Sequence, residues 1–185
     1  MEKLSWQWVA EHEAGVTRRL NRAGRFPVLL YLFRYISRLG NGIFWYVLMM
    51  VMLAVQGNRA WPLVLQMIFA GLSGTAIYAW LKKKTIRPRP HCQFGSIHCL
   101  LAPLDRFSFP SGHTLHATAF TLVAIAYYPQ LAWLLIPFTL LVALSRMVLG
   151  LHYLTDVLAG FLLGSIVAEA SFLLLDALSN YGLVG

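Results

Sequence analysis

Uncharged apolar runs alternate with short polar stretches along this chain, and the runs are long enough to cross a bilayer. Leu39 to Gly57 is rich in Met, Val and aromatic residues and predicts a first span. Trp61 to Leu81 predicts a second, with Tyr78 and Trp80 near its end, a placement that suits aromatic belts at the two interfaces. Gly112 to Tyr128, closed by Pro129, predicts a third span. Leu131 to Leu149 predicts a fourth, kinked at Pro137, and Leu154 to Leu175 a fifth. These runs approach or exceed the roughly 18 residues that mark a membrane-spanning helix. Gly160 and Gly164 in the fifth are spaced for close helix packing. The pattern predicts an all-α, polytopic membrane helix bundle of five to six transmembrane helices. It forms one domain over residues 1–185, with the bundle in 39–175.

Residues 1–38 differ. From Met1 to Arg25, Leu4, Trp6, Trp8, Val9, Val16 and Leu20 are interspersed with polar residues and the cluster Arg18, Arg19, Arg22, Arg25. This predicts an amphipathic helix lying on the membrane, the plainer alternative being a solvated tail. Phe26 to Leu39 is apolar but short, and Arg34 and Arg38 interrupt it one helical turn apart. An interfacial or partly inserted helix fits it better than a span. Early charges at Glu2, Glu11 and Glu13 predict no cleavable signal peptide, and residues from Asp176 to Gly185 predict a short frayed tail.

Five spans place alternate connections on opposite sides. The polar stretches Lys82–Pro90, Ser111–His113 and Arg146–Asp156 then fall on one face, a conclusion that needs no motif. Lys82 to Phe109 is a long polar connection with Pro88, Pro90 and Pro103, and connections of this length are usually functional.

Composition narrows the class. The chain is 58% hydrophobic and 12% charged, against roughly 25% charged in soluble domains. Its net charge is +8, but the basic residues sit beside apolar runs. Membrane lipids and a lipid phosphate substrate are therefore the expected partners, and nucleic acid is not. Oligomeric state is not legible.

Three stretches carry chemistry. Lys82, Lys83, Lys84, Arg87 and Arg89 read alone as a juxtamembrane anchor to headgroups. Arg89 between prolines is rigid, however, and a guanidinium suits bidentate phosphate binding. Ser111 is a suitable helix N-cap, Gly112 lets backbone N–H groups approach an anion, and His113 follows in the first turn. Arg146 closes the fourth span, and His152 and Asp156 open the fifth. Ionisable residues at such depth are functional candidates. The i,i+4 spacing puts Asp156 on the face of His152. A carboxylate there can hold one imidazole N–H and leave the other nitrogen as a nucleophile. His113 can protonate a leaving oxygen. Lys82, Arg89 and Arg146 can stabilise phosphoryl charge.

Lys82-x6-Arg89-Pro90, Pro110-Ser111-Gly112-His113 and Ser145-Arg146-x3-Gly150-x-His152-Tyr153-x2-Asp156 together closely resemble the three-part signature of the phosphatidic acid phosphatase type 2 superfamily. The resemblance runs from about Trp61 to Leu175. It implies a lipid phosphatase that works without metal or other cofactor. His152 would form a phosphohistidine, Asp156 would orient it, and His113 would act as acid and then base. Lys82, Arg89, Ser111, Gly112 and Arg146 would bind the phosphate. The usual six-span members have a first span that is missing here or replaced by Phe26–Leu39. Substrates in the family's range are undecaprenyl pyrophosphate, favoured by the small size and minimal loops, phosphatidylglycerol phosphate, phosphatidic acid and lipid A phosphates. A non-catalytic phospholipid-binding membrane protein is the alternative. The related signature of vanadium haloperoxidases belongs to soluble proteins.

Remaining polar residues divide as follows. Cys92 and Cys99, each preceded by His, read as unrelated thiols, a disulfide or a zinc site. His116 reads as a packed helical histidine, Glu169 as a mid-span acid paired within the bundle, and Asp105 and Arg106 as loop-ordering residues. Arg18, Arg19, Arg22, Arg25, Arg34 and Arg38 lie on the site face against Arg59 on the other, which by charge alone puts the site in the cytoplasm. The family resemblance implies the periplasmic face of a bacterial inner membrane, and that is the expectation adopted. A crossing by Phe26–Leu39 would remove the conflict.

Overall fold

The computed structural model describes the backbone of residues 2–180 and the side chains of 8–177. It is 83% helix, with no strand among the described residues. The helices are α1 (Glu2–Asn21), α2 (Pro27–Arg38), α3 (Phe44–Gln56), α4 (Trp61–Thr85), the single turn α5 (Pro90–Gln93), α6 (Gly112–Tyr127), α7 (Ala132–Val148) and α8 (Leu154–Asn180).

Helix α6 forms the centre, with α4, α7 and α8 packed around it. Its buried positions are small or hydroxylic: Thr114, Ala117, Thr118, Ala119, Thr121 and Ala124 among them. Small residues let backbones approach closely, the main source of helix association where lipid is the solvent. On α8, a Cβ at Gly164 would lie 2.5 Å from the Leu115 carbonyl oxygen, and one at Gly160 would lie 2.8 Å from that of Ser111. On α4, a Cβ at Gly74 would meet Leu115 at 2.7 Å. Hydrogen bonds join the helices between these contacts. Thr121 and Thr139 Oγ1 atoms are 2.7 Å apart. Gln66 donates to Ser171 at 3.0 Å and accepts from Tyr127 at 2.7 Å.

The outer surface is apolar: Leu65, Phe69 and Leu72 on α4, Trp133 and Leu140 on α7, Leu158 and Leu162 on α8 are exposed. An apolar surface of this extent belongs in lipid. Among the described residues, three helical stretches have the length and composition to cross a membrane: Pro27–Gln93, Pro129–Val148 and Leu154–Ala177. Helix α6, with 16 residues, spans about 24 Å and is enclosed by its neighbours.

Several expected boundaries shift. The first run is helical only from Phe44, because Gly42 takes φ 119° and a wide turn occupies Leu39–Ile43. Helix α4 continues through Lys82–Lys84 to Thr85, since cations favour the negative end of a helix. Helix α8 runs on to Asn180, so the expected fraying does not begin at Asp176, and residues 181–185 lie outside the described residues. Pro137 lies inside a continuous α7.

Helix α2 packs against α7. Gly24, just before it, packs on Leu100 near the Val148 carbonyl. Ser37, near its end, accepts a hydrogen bond from Arg146. Both contacts thus fall on the last turn of α7. Helix α1 forms as expected, but its buried stripe Ala10, Ala14, Thr17 and Asn21 faces protein. Asn21 donates to the carbonyls of His98 and Val148 and accepts from the His98 N–H. Arg18 reaches Ser96, and Arg34 reaches the Leu100 carbonyl. The N-terminal segment therefore pins the 86–109 connection onto the bundle.

Gly164→Val is expected to lower the melting temperature in detergent, because overpacking of this kind costs about 1–3 kcal/mol. Gly95→Ala is the control, since a Cβ there meets nothing within 4 Å. Thermal melts followed by helical circular dichroism would check both.

Candidate active site

Four chain segments meet where α4 and α7 end and α6 and α8 begin. The first is the basic stretch. Ile86 ends α4 in the left-handed region, with φ 46°, and turns the chain back. Lys82 then donates to both carboxylate oxygens of Asp105 at 2.8 Å and to the Phe107 carbonyl at 3.1 Å. Arg89 donates to Asp105 Oδ1 at 2.9 Å, to its carbonyl at 3.1 Å and to the Leu151 carbonyl at 2.8 Å. Lys82 and Arg89 are buried, while Asp105 is part exposed. Burial alone would raise the Asp105 carboxyl, but hydrogen bonding to Lys82 and the charges of Lys82 and Arg89 outweigh it and hold it below the usual carboxylate range.

The second segment is the start of α6. Ser111 occupies the N-cap with extended backbone, φ −75° and ψ 103°. Its hydroxyl lies 2.9 Å from Thr114 Oγ1 instead of capping an N–H, which corrects the side-chain cap expected from sequence. Its own N–H donates to the Asp156 carbonyl at 3.0 Å, which ties α6 to α8 at the site.

The third and fourth segments are the end of α7 and the turn into α8. Arg146 is buried, and its guanidinium meets Ser37 of α2. Gly150 has φ 72°, and a Cβ there would lie 2.3 Å from the His98 carbonyl oxygen, so only glycine fits. His152 follows, with 2% of its side chain exposed. Burial first, then the charges of Arg89, Arg146 and Lys82, push its imidazole well below the ordinary histidine range. It is therefore neutral at pH 7. Its Nε2 lies 3.4 Å from Arg89 Nη1, and its Nδ1 lies 3.5 Å from Asp156 Oδ2. The second distance is long for a hydrogen bond, as contacts of this kind often are before substrate arrives. Asp156 Oδ2 also accepts the Tyr153 N–H at 2.8 Å, and its Oδ1 accepts from Arg87 at 2.6 Å.

A groove of about 710 Å³ opens from this cluster. Lys82, Arg89, Gly112, His113, Arg146 and His152 line its polar end. Tyr46 and Met49 on α3, with Met67, Ile68 and Leu72 on α4, line the rest. The shape matches a ligand with an anionic head and an apolar chain. Of the residues singled out in sequence, Ser111 and Asp156 do not line it: Asp156 stands behind His152, and the Ser111 hydroxyl is taken by Thr114.

Some roles differ from those read in sequence. Arg87, read there as part of a juxtamembrane basic cluster, is fully buried against Asp156 and Glu13. Asp105 contacts Lys82 and Arg89 directly, beyond ordering its loop. Glu13 and Ser37 were not anticipated. No spacing rule links Glu13 to Asp156, and the only signal was an acid in the buried half of an N-terminal helix. His116 is a packing residue as expected, with Nδ1 2.8 Å from the Gly112 carbonyl and Nε2 3.1 Å from Thr75 Oγ1, although it also borders the groove. Cys92 and Cys99 are separate, exposed thiols. Glu169 lies on the exposed face of α8 with no hydrogen-bond partner among the described residues, so the expected bundle pairing is not found.

Known proteins resemble this chain in sequence and in fold. Residues 59–179 match the PAP2 superfamily. The chain is 29% identical over 137 residues to undecaprenyl-diphosphatase BcrC of Bacillus subtilis (strain 168), covering 74% of this chain and 70% of that one. It is 26% identical over 181 residues to phosphatidylglycerophosphatase B of the same organism, covering 85% and 70%. The crystal structure of Aquifex aeolicus LpxE superposes with TM-score 0.69 at 24% identity, over 85% of this chain and 93% of that one. That of a transmembrane PAP2-type phosphatidylglycerolphosphate phosphatase from Bacillus subtilis does so with TM-score 0.65 at 24% identity, over 95% and 94%. With more than half its length matched by the family model, the chain belongs to the PAP2 superfamily.

Proposed function

We propose that this protein is a metal-independent membrane phosphatase that cleaves a phosphomonoester or pyrophosphate on a lipid headgroup through a phosphohistidine on His152. The observation that carries the reading is a neutral, buried imidazole beside three cations at the polar end of an apolar groove. The phosphate sits among Lys82, Arg89 and Arg146, near the backbone of Ser111 and Gly112 at the start of α6. His152 Nε2 attacks phosphorus while Asp156 holds the Nδ1 proton. The P–O bond to the lipid breaks, and His113 gives its proton to the departing oxygen. Water then attacks the phosphohistidine, His113 takes the proton, and inorganic phosphate leaves with Nε2 restored. The lipid chain lies along Met49, Met67 and Leu72.

Undecaprenyl pyrophosphate is the favoured substrate, since a relative at 29% identity is named undecaprenyl-diphosphatase. Phosphatidylglycerol phosphate follows, from the name of the relative at 26% identity. Phosphatidic acid and lipid A phosphates complete the panel to assay. The chain resides in a bacterial inner membrane, and its site faces the periplasm. The N-terminal arginines lie on that face too, against the positive-inside count. Arg18 and Arg34 are held by protein acceptors there, which gives them a structural use besides a topological one.

Three outcomes are expected. Purified protein in detergent with EDTA releases phosphate from undecaprenyl pyrophosphate, and His152→Ala releases none. Lipid binding without turnover in the wild type would instead mark a lipid-binding protein. Asp105→Asn lowers KM severalfold, because the Asp105 carboxylate holds the two cations that the substrate phosphate must engage; an unchanged or raised KM in steady-state assays would refute this. In intact cells, Cys92 and Cys99 react with a membrane-impermeant maleimide, and labelling only after permeabilisation would place the site inside.

A further inference from the structure

Glu13 lies outside the matched family region, on the N-terminal helix, yet it reaches the catalytic end. Its Oε2 accepts from Arg87 Nη2 at 2.9 Å and from the Thr155 hydroxyl at 2.9 Å. Its Oε1 accepts the Thr155 backbone N–H at 3.0 Å. Thr155 stands in the first turn of α8, where backbone N–H groups lack partners within the helix. Glu13 therefore caps α8 from 142 residues away. A carboxylate there also meets the positive end of the helix dipole.

Arg87 transmits the contact. Its Nη1 bonds Asp156 Oδ1 at 2.6 Å and Thr155 Oγ1 at 2.7 Å, and its guanidinium carbon lies 4.2 Å from the Tyr153 ring centroid. The Arg87 side chain has no exposure, and that of Glu13 has 11%. One rigid fork thus joins two carboxylates. With Oδ1 held by Arg87, and Oδ2 held by the Tyr153 N–H, the Asp156 carboxylate has one orientation, facing His152 Nδ1.

We infer that Glu13 is a positioning residue for the reaction, acting through Arg87 and the first turn of α8 to orient Asp156 and hence the His152 imidazole. Helix α1 is then part of the catalytic apparatus as well as a surface helix. Neither residue touches the phosphate, so their loss acts on turnover and not on substrate affinity. The inference rests on the phosphohistidine reading above.

The test uses the full chain in detergent, with Glu13→Gln and Glu13→Ala compared against the wild type. Gln keeps an oxygen for the Thr155 N–H but presents a donor or a neutral group to Arg87, so it removes the ion pair with little change of shape. The expected result is a fall in kcat of roughly tenfold to hundredfold, by analogy with the loss of an outer-shell partner that orients a metal-bound histidine. KM and the inhibition constant for inorganic phosphate stay within about twofold, as uniform phosphate binding is untouched. The amplitude of the first-turnover burst, scaled to folded protein by circular dichroism, separates this from misfolding. If Glu13 only tethers α1, the melting temperature falls while kcat per folded molecule matches wild type, and the inference fails. Losses that appear in KM or inorganic-phosphate affinity instead of kcat also overturn it. Should the wild type itself show no His152-dependent turnover, the phosphatase reading fails first, and the two failures are distinct.

Discussion

Neither Arg87 nor Asp156 exposes any of its side chain, and they are joined at 2.6 Å. Withdrawing charges from water is so costly that such a pair survives only where further hydrogen bonds complete it, and removing one partner typically costs roughly 3–5 kcal/mol. Here Tyr153, Thr155 and Glu13 supply those bonds. The pair therefore dictates where three distant parts of the chain must lie: the N-terminal helix, the connection after α4 and the start of α8. The proposed nucleophile sits between two of these parts, and its imidazole meets Asp156 on one side and Arg89 on the other.

A second constraint operates below the site. Lipid offers no hydrophobic drive for helices to associate, so the bundle relies on close backbone approach and interhelical hydrogen bonds. Helix α6 is built for both, and Gly160 and Gly164 bring α8 against it. Gly160 packs on the Ser111 carbonyl, while the Ser111 N–H bonds the Asp156 carbonyl. The packing that stabilises the bundle thus also sets the distance between the two histidine-bearing segments. Where α3 and α4 separate, the groove opens with apolar walls and a cationic end. One architecture satisfies both the membrane and an amphipathic ligand.

The charge pattern inside the site has a chemical consequence. Lys82, Arg89 and Arg146 surround a histidine that burial and these same charges keep neutral. A protonated imidazole has no free nitrogen lone pair, so the same cations leave His152 with one available. In this structure the part-exposed Asp105 carboxylate balances two of those cations. Asp105 sits on the 86–109 connection, so that connection carries the counter-charge at the polar end of the groove.

Apolar runs and their polar interruptions were enough to read an all-helical membrane bundle, the convergence of three polar stretches on one face, and residues for a site. Each of these follows from local facts: the length needed to cross a bilayer, the alternation of sides, and the i,i+4 spacing of His152 and Asp156. Helix ends were read less well, since the positive φ of Gly42 and Ile86 depends on neighbours. What only the tertiary structure decided was pairing between side chains far apart in the chain. Arg87 looked like one more headgroup-anchoring cation, and Asp105 like a loop acid. Glu13 stood on what read as a surface helix. Their partners are fixed by where folded segments meet, and a buried charge must find its counter-ion in three dimensions, at a spacing that no one-dimensional pattern records.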